Sequence, residues 1–451
     1  MKVYHLLWAF ICVISFAIPL AAIAEAPSQS LTLEEAIAAA LKHNPQVVAA
    51  RHEVAAAGFQ VTTARSGLLP QLYFSESFNR TNSPLWAFGT NLNQGVIEAS
   101  DFDPDQLNEP DAISNFNTAL SLTWNVFDGG QTWIGWRQAQ QGVHAVDLSL
   151  QRSEQQIIAL VAKAYMELLL AVENQDVIVQ SLETVRAHFK LVQDRFRNGI
   201  SVKSDVLRAQ VRIANLEQKR LMSHSQIQVA QAMLHAAMGQ PDSGRIISAT
   251  PFDSCVAPKE SLAQWIHLAL EKRPDLKQLD IQEVIADKGV DRARAGHWPT
   301  LALQGSYEVN SEDFSESADN YTVGAVLRMN LYSGQRISSQ TAAAKAMVAK
   351  VQSLRKGFEL KVRVETQRAF YQAQSTWQSI DVARSAVAQA KEGLRIVGNR
   401  YGSGLLTIVD LLDAQVSLQH AHIQLFKAMH DYKVARIELA LAAGVIDKNF
   451  Q

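Results

Sequence analysis

Two carboxylates near the C-terminus, Asp410 and Asp413, stand three residues apart in a stretch patterned for helix. Residues i and i+3 share a helix face, so this spacing concentrates negative charge on one side. Asp410 and its counterpart Asp205 also stand where an acidic residue caps a helix start, and both readings are open. The other clusters that could do chemistry are weaker. His420 and His422 lie two apart, share no helix face and do not make a metal pair. Asp101-x-Asp103-x-Asp105 begins like a calcium loop, yet Gln106 stands where the loop needs glycine and Ala112 where it needs glutamate. A solvated loop is one reading of it, weak divalent-cation binding the other. No H-E-x-x-H, G-x-S-x-G or G-x-x-x-x-G-K-[ST] occurs. These residues describe no enzyme and require no cofactor or metal.

The elements that carry them are long. Beyond residue 24, proline is confined to 27–110 and 241–299, which leaves 111–240 and 300–451 free of helix breakers. There the apolar residues step alternately by three and four: Ile157, Val161, Ala164, Leu168, and on to Val185, Phe189, Val192 and Phe196. Val362, Thr366, Ala369, Ala373 and Thr376 through to Leu394, Val397 and Tyr401 repeat the pattern. A 3.5-residue period over more than five heptads predicts long, left-handed supercoiled helices. A helix over 131–195 would run roughly 98 Å at about 1.5 Å per residue. Helices over 33–66 and 202–239, placed end to end, span about the same distance. The economical arrangement is two columns, one continuous and one of two stacked pieces, with the chain reversed at Asn198-Gly199 and Ser403-Gly404.

Between the helices the period changes to two. Leu72, Phe74 and Phe78 share one side of 71–79, interrupted by Glu76. Phe116, Leu120, Leu122, Trp124 and Val126 alternate with Asn117, Ser121, Thr123 and Asn125. Leu301, Leu303, Tyr307 and Val309 alternate with polar residues, as do Tyr321, Val323, Leu327, Met329 and Leu331. Four strands with one apolar and one polar face fit a membrane barrel, and equally a half-buried soluble sheet. In lipid, four strands leave bare edges whose unpaired backbone groups cost several kcal/mol each, so copies of the chain would have to close the ring. Twelve columns about 10 Å apart would leave a lumen of about 28 Å, and eight about 15 Å; periodicity does not choose between them.

Lys2, an apolar run from Leu6 to Leu20 and the small-residue exit Ala22-Ile23-Ala24 read as a cleaved signal peptide, with a membrane anchor as the alternative. Cleavage leaves Cys255 as the lone thiol and precludes an internal disulfide. The formal net charge of −2 and the lack of a basic run argue against nucleic acid. No further run of eighteen apolar residues occurs, so a mature membrane-spanning chain would span with strands.

The chain also contains itself twice. Leu41, Pro45, Arg65, Gly67 and Pro70 meet Leu270, Pro274, Arg294, Gly296 and Pro299 at an offset of 229. From about residue 115 the offset is 205, pairing Arg195, Gly199, Asp205 and Gln210 with Arg400, Gly404, Asp410 and Gln415. The first copy therefore carries 24 extra residues, with Trp86, Phe88 and a run of acids, between about 79 and 115. The expected organisation is a signal peptide over 1–24, then a first repeat over 25–240 and a linker over 241–260. The first repeat has helices over 33–66, 131–195 and 202–239 and strands over about 70–80 and 115–127. A second repeat over 261–451 has helices over 261–296, 335–400 and 406–443 and strands over about 299–310 and 320–332.

Several motifs resemble the TolC-like outer-membrane efflux family over nearly all of the mature chain. They are the opening Leu33-x-x-Ala36-x-x-x-Ala39-x-x-x-x-Asn44-Pro45 and the strand ends Val126-Phe127-Asp128-Gly129-Gly130 and Leu331-Tyr332-Ser333-Gly334. The tips Arg195-Phe196-x-x-Gly199 with Asp205-Val206-Leu207-x-Ala209-Gln210, and Arg400-Tyr401-x-x-Gly404 with Asp410-Leu411-Leu412-x-Ala414-Gln415, are the most specific. The resemblance implies a mainly α fold with a small transmembrane β part: a long coiled-coil α-barrel hung from a twelve-stranded barrel, four strands per chain, in a homotrimer. It implies an exit duct in the Gram-negative outer membrane, in contact with lipid and lipopolysaccharide. A periplasmic adaptor and an inner-membrane pump of RND, ABC or MFS type would complete it. A periplasmic coiled-coil scaffold or adaptor without a pore is the alternative.

The same resemblance assigns roles to residues. Asp410 and Asp413 match an acidic ring at the periplasmic aperture, where three chains would set six carboxylates that favour cations. Asp205 and Tyr401 match a hydrogen-bonded latch that keeps the hairpins shut, although Leu406 stands where relatives have an arginine. Gly199, Ile200, Gly404 and Leu405 would form the tips an adaptor grips.

Overall fold

The computed structural model describes residues 29–241, 246–248, 255–257 and 260–448. The signal segment 1–24 and most of the linker 241–260 lie outside the described residues. In chain order the elements are β1 (Gln29–Leu31), α1 (Leu33–His43), α2 (Pro45–Ser66), β2 (Gln71–Thr81), α3 (Pro84–Gln94), α4 (Pro104–Asn108) and β3 (Ile113–Phe127). Then come α5 (Gln131–Arg197), α6 (Lys203–Met238), β4 (Ile246–Ser248), α7 (Leu262–Lys272) and α8 (Pro274–Arg294). The chain closes with β5 (Thr300–Ser311), β6 (Ala318–Arg328), α9 (Arg336–Gly402) and α10 (Ile408–Ala443).

The long helices α5 and α9 have 67 residues each, and α6 and α10 have 36 each. At about 1.5 Å per residue the longer pair spans roughly 100 Å. The heptad positions are the buried ones: Val161, Leu168, Ile178, Leu182, Val185 and Val192 in α5, and Val362, Thr366, Ala373 and Ile380 in α9. One stretch of α5 is apolar and long enough to cross a membrane, but over half of it is buried, and α1 and α10 share a core with α5.

The expected single helices over 33–66 and 261–296 are each two. Pro45 and Pro274 lack the N–H a continuous helix would use and push the preceding residue into extended backbone; Asn44 and Arg273 have ψ of 125° and 121°. Each proline then starts the next helix at its first position. Capping boxes fix the outer ends, Thr32 with Glu35 on α1 and Ser261 with Gln264 on α7. The second breaks down further at its end, into a short 3-10 turn over Ala295–His297.

The break is where the stacked column is joined. Asn44 Nδ2 donates to Ala237 O at 2.8 Å, seating the α1–α2 junction on the C-terminal end of α6. A Cβ on Gly239 would lie 2.6 Å from Asn44 Cα, so only glycine admits this approach. In the second copy Arg273 takes the place of Asn44 and reaches Ala442 O at 3.4 Å. It also binds Asp275 Oδ2 at 2.7 Å and Glu365 Oε2 at 2.6 Å, while Arg152 lies 3.3 Å from Asp275. The copies share a joint but not its chemistry.

β2, β3, β5 and β6 form one antiparallel sheet in that order. Its register puts Phe74, Leu120, Tyr307 and Tyr321 in one row and Leu72, Leu122, Gly305 and Val323 in another, all on one face. Ser75, Asn117, Ser121, Ser306, Asn310 and Thr322 fall on the opposite face. Glu76 breaks the apolar face and is satisfied across the strand by Thr118 Oγ1 at 2.5 Å. Phe78, Phe116 and Phe314 cluster at the end away from the long helices. Trp124, Phe127 and Trp298 stand at the other end. β2 and β6 are both edges, and Phe74, Tyr321, Val323 and Leu327 are exposed.

The strand expected to reach 332 stops at Arg328. Its pairing ends at Thr300, because Pro299 beyond has no N–H to give. The 24-residue insertion contains α3, α4 and a 3-10 turn. α3 lies against the polar face: Gln94 Nε2 donates to Ser114 O at 2.8 Å and Asn115 Oδ1 at 2.9 Å, and Asn115 Nδ2 donates to Asn310 Oδ1 at 2.8 Å. β1 and β4 pair in parallel, a contact too short to leave a periodic signal.

Candidate gate at the hairpin tips

Both hairpins reverse on a glycine in left-handed conformation, Gly199 at φ 74° and Gly404 at φ 77°, a region closed to most L side chains. Ile200 N returns to Arg195 O at 2.8 Å and Leu405 N to Arg400 O at 2.9 Å, which satisfies the last carbonyls of α5 and α9. Ile200 and Leu405 project from the ends and are about three-quarters exposed. Behind them Val192, Val206, Leu216, Ile408 and Leu411 pack into a cluster that joins the two hairpins.

Asp410 is both a cap and an exposed charge. Its Oδ2 accepts from Thr407 N at 2.8 Å and Thr407 Oγ1 at 2.7 Å. These bonds hold the carboxyl below the usual aspartate range. Asp413 is exposed beside it, while Leu411 and Leu412 between them turn into the core. The two carboxylates thus share the open face of α10. The acidic loop residues are caps too: Asp101 Oδ2 accepts from Glu98 N at 2.8 Å, and Asp103 Oδ1 from Asp105 N at 2.9 Å.

Asp205 and Tyr401 sit in the same tip. Asp205 Oδ2 accepts from Ser201 Oγ at 2.9 Å. Tyr401 is buried; burial pushes its phenol up, the Arg195 guanidinium partly offsets this, and the Asp205 carboxylate adds to it. At the tip, Arg195 reaches across from one hairpin to the other. Its Nη1 donates to Tyr401 O at 3.2 Å, its Nη2 to Gly402 O at 3.0 Å, and its guanidinium lies 4.8 Å from the centre of the Tyr401 ring. One side chain of the first hairpin therefore grips the end of α9. In the sequence Arg195 stands out only as part of the tip motif; Leu406, where the resemblance implies an arginine, is the signal that a charged contact has moved elsewhere. His422 lines a cavity between the helices, and His420 faces solvent.

A profile of the family described as outer membrane efflux protein matches residues 36–240 and 265–445. The chain belongs to this family. The outer membrane protein TolC of Vibrio cholerae is 25% identical over 417 residues, covering 91% of this chain and 90% of that protein. The proteases secretion protein PrtF of Dickeya chrysanthemi is 24% identical over 434 residues, covering 93% and 90%. The open-state crystal structure of the Neisseria gonorrhoeae MtrE outer membrane channel aligns with a TM-score of 0.73 at 19% identity, over 91% of this chain and 88% of that one. This outer membrane efflux protein is an exit duct of the Gram-negative outer membrane, of the kind that serves efflux and type I secretion. The scaffold alternative falls with that assignment.

Proposed function

We propose that three copies close into one tube. The carrying observation is the sheet: an exposed apolar face, a polar face opposite and two bare edges, at one end of hairpins roughly 100 Å long. Three sheets give twelve strands with apolar side chains toward lipid and aromatics at both rims. Below them twelve helical columns would surround a lumen of about 28 Å. Detergent extraction from outer membranes followed by native mass measurement tests this reading; a water-soluble monomer rejects it.

Each end then has a device. At the periplasmic tips, Asp410 and Asp413 from three chains ring the aperture and favour cations. Arg195 clasps the second hairpin to the first, alongside the Asp205–Tyr401 pair, and opening separates them. Gly199, Ile200, Gly404 and Leu405 present the surface for a periplasmic adaptor, which couples the duct to an inner-membrane pump of RND, ABC or MFS type. At the outer end α3 lies on the lumen-facing side of the sheet. Twelve strands about 4.8 Å apart and tilted about 40° make a ring about 24 Å across. Three helices about 10 Å wide would fill most of it, so α3 narrows the exit.

A further inference from the structure

The core of the four-helix unit is interrupted. Toward the tip, Leu182, Val185 and Leu411 belong to one apolar cluster, and toward the joint Val161, Ile380 and Tyr432 belong to another. Between them, where α5, α6, α9 and α10 meet, lies a cavity of about 120 Å3 lined by Thr184, Arg212, Leu394, Gln415, Gln419 and His422. Gln415 and Gln419 are only 8% and 4% exposed. Arg212 Nη2 donates to Gln419 Oε1 at 2.6 Å. Arg212 Nε, Gln419 Nε2 and both amide atoms of Gln415 are buried there without a protein partner among the described residues. Buried polar groups are costly when unmet, and three of these four are donors.

The electrostatics point the same way. Among the described residues no carboxylate lines the cavity. Burial pushes His422 down, and the charge of Lys391 nearby pushes it further, so this ring is neutral at neutral pH. Burial lowers Arg212 as well, but an arginine starts so high that it keeps its charge. The site is donor-rich, singly cationic and walled by aliphatic carbon. The space admits a halide with a few waters.

We infer that this cavity binds a small monovalent inorganic anion of chloride size, held by Arg212 of the first hairpin and by Gln415 and Gln419 of the second. The bound anion bridges α6 and α10 and so ties together the two hairpins. The inference deepens the proposed gate and rests on that reading only for its effect on opening; the binding stands on the cavity alone.

The test uses the full-length trimer in detergent. Crystals soaked in bromide should show an anomalous peak in the cavity of the native protein and none in Arg212→Met. In solution, native Tm should rise and saturate as chloride replaces gluconate at constant ionic strength, because a ligand of the folded state stabilises it. Arg212→Met should show no such rise, and Gln415→Leu, which keeps the arginine, a weaker one that needs more chloride. Water without an anomalous peak in an intact, conducting trimer overturns the inference and leaves the duct reading standing. A peak that survives Arg212→Met, or a Tm response equal in all three proteins, also overturns it, since the ion is then adventitious. Should Arg212→Met not fold, Gln415→Leu decides: a chloride response matching the native one rejects the site.

Discussion

Removing the Arg195 side chain should loosen the closed tip. Its guanidinium makes two charge-assisted hydrogen bonds, to Tyr401 O and Gly402 O, and stacks on the Tyr401 ring. Bonds to charged groups contribute about 1.5–3 kcal/mol, and an exposed cation–π contact about 0.5–1 kcal/mol. Arg195 is half-buried and the freed carbonyls can take water, so the three contacts together are discounted below the sum of these ranges, to about 2 kcal/mol per chain. If three chains open together the closed state loses about 6 kcal/mol, and each 1.4 kcal/mol is a factor of ten. Arg195→Ala should therefore raise the open-to-closed ratio by about four orders of magnitude. Planar-bilayer recording of single trimers reads this as a rise in open probability. Arg195→Lys should fall between, since an ammonium keeps the charge but lacks the planar fork and the flat face that stacks on Tyr401. Tyr401→Phe removes the phenol, which both the Arg195 guanidinium and the Asp205 carboxylate influence, but keeps the ring and the backbone carbonyls that Arg195 uses, so it should open the tip less than Arg195→Ala. A folded Arg195→Ala trimer with native open probability refutes the clasp.

Asp410→Asn with Asp413→Asn should erase most cation preference in reversal-potential measurements, with the trimer intact; unchanged selectivity removes the ring. Replacing residues 84–111 by a short glycine-serine turn should raise the conductance of channels whose tips are already open, whereas no change means that α3 lies clear of the exit. Asp275 is acid-sensitive by linkage. Burial opposes its charge, but the hydrogen bond and charge of Arg273, with the charge of Arg152, hold its carboxyl below the usual range. Its contribution is thus present above the unfolded value of about 3.9 and is lost as pH falls through the lower folded one. Thermal melts should show Asp275→Asn costing stability near neutral pH, with the difference shrinking below about pH 4; a pH-independent difference would falsify the linkage.

The long elements were legible because their signal repeats. Five heptads leave no doubt about α5 and α9, and the alternation in β2, β3, β5 and β6 gave both faces of the sheet. Pro45 and Pro274 were visible too, but the apolar pattern on either side masked the break they impose. β1 and β4 pair over three residues and carry no period of their own. The fold of 82–112 was hidden because α3 is held by Gln94 reaching Ser114 and Asn115, a tertiary contact rather than a local preference. At the tip, Asp410 and Asp413 could be placed by spacing. The clasp could not, since Arg195 binds backbone carbonyls that any sequence at 401 and 402 would supply. The polar layer at Arg212, Gln415 and Gln419 lies on three-four spacing and reads as ordinary coiled-coil surface until the fourth helix covers it.

On the proposed reading, one chain holds an incomplete wall that only its copies can close. Native mass spectrometry of the protein extracted from outer membranes tests this most directly. The expected particle has three chains, resists dissociation in mild detergent and forms conducting pores once placed in a bilayer. A single chain that stays soluble after the detergent is removed would contradict it.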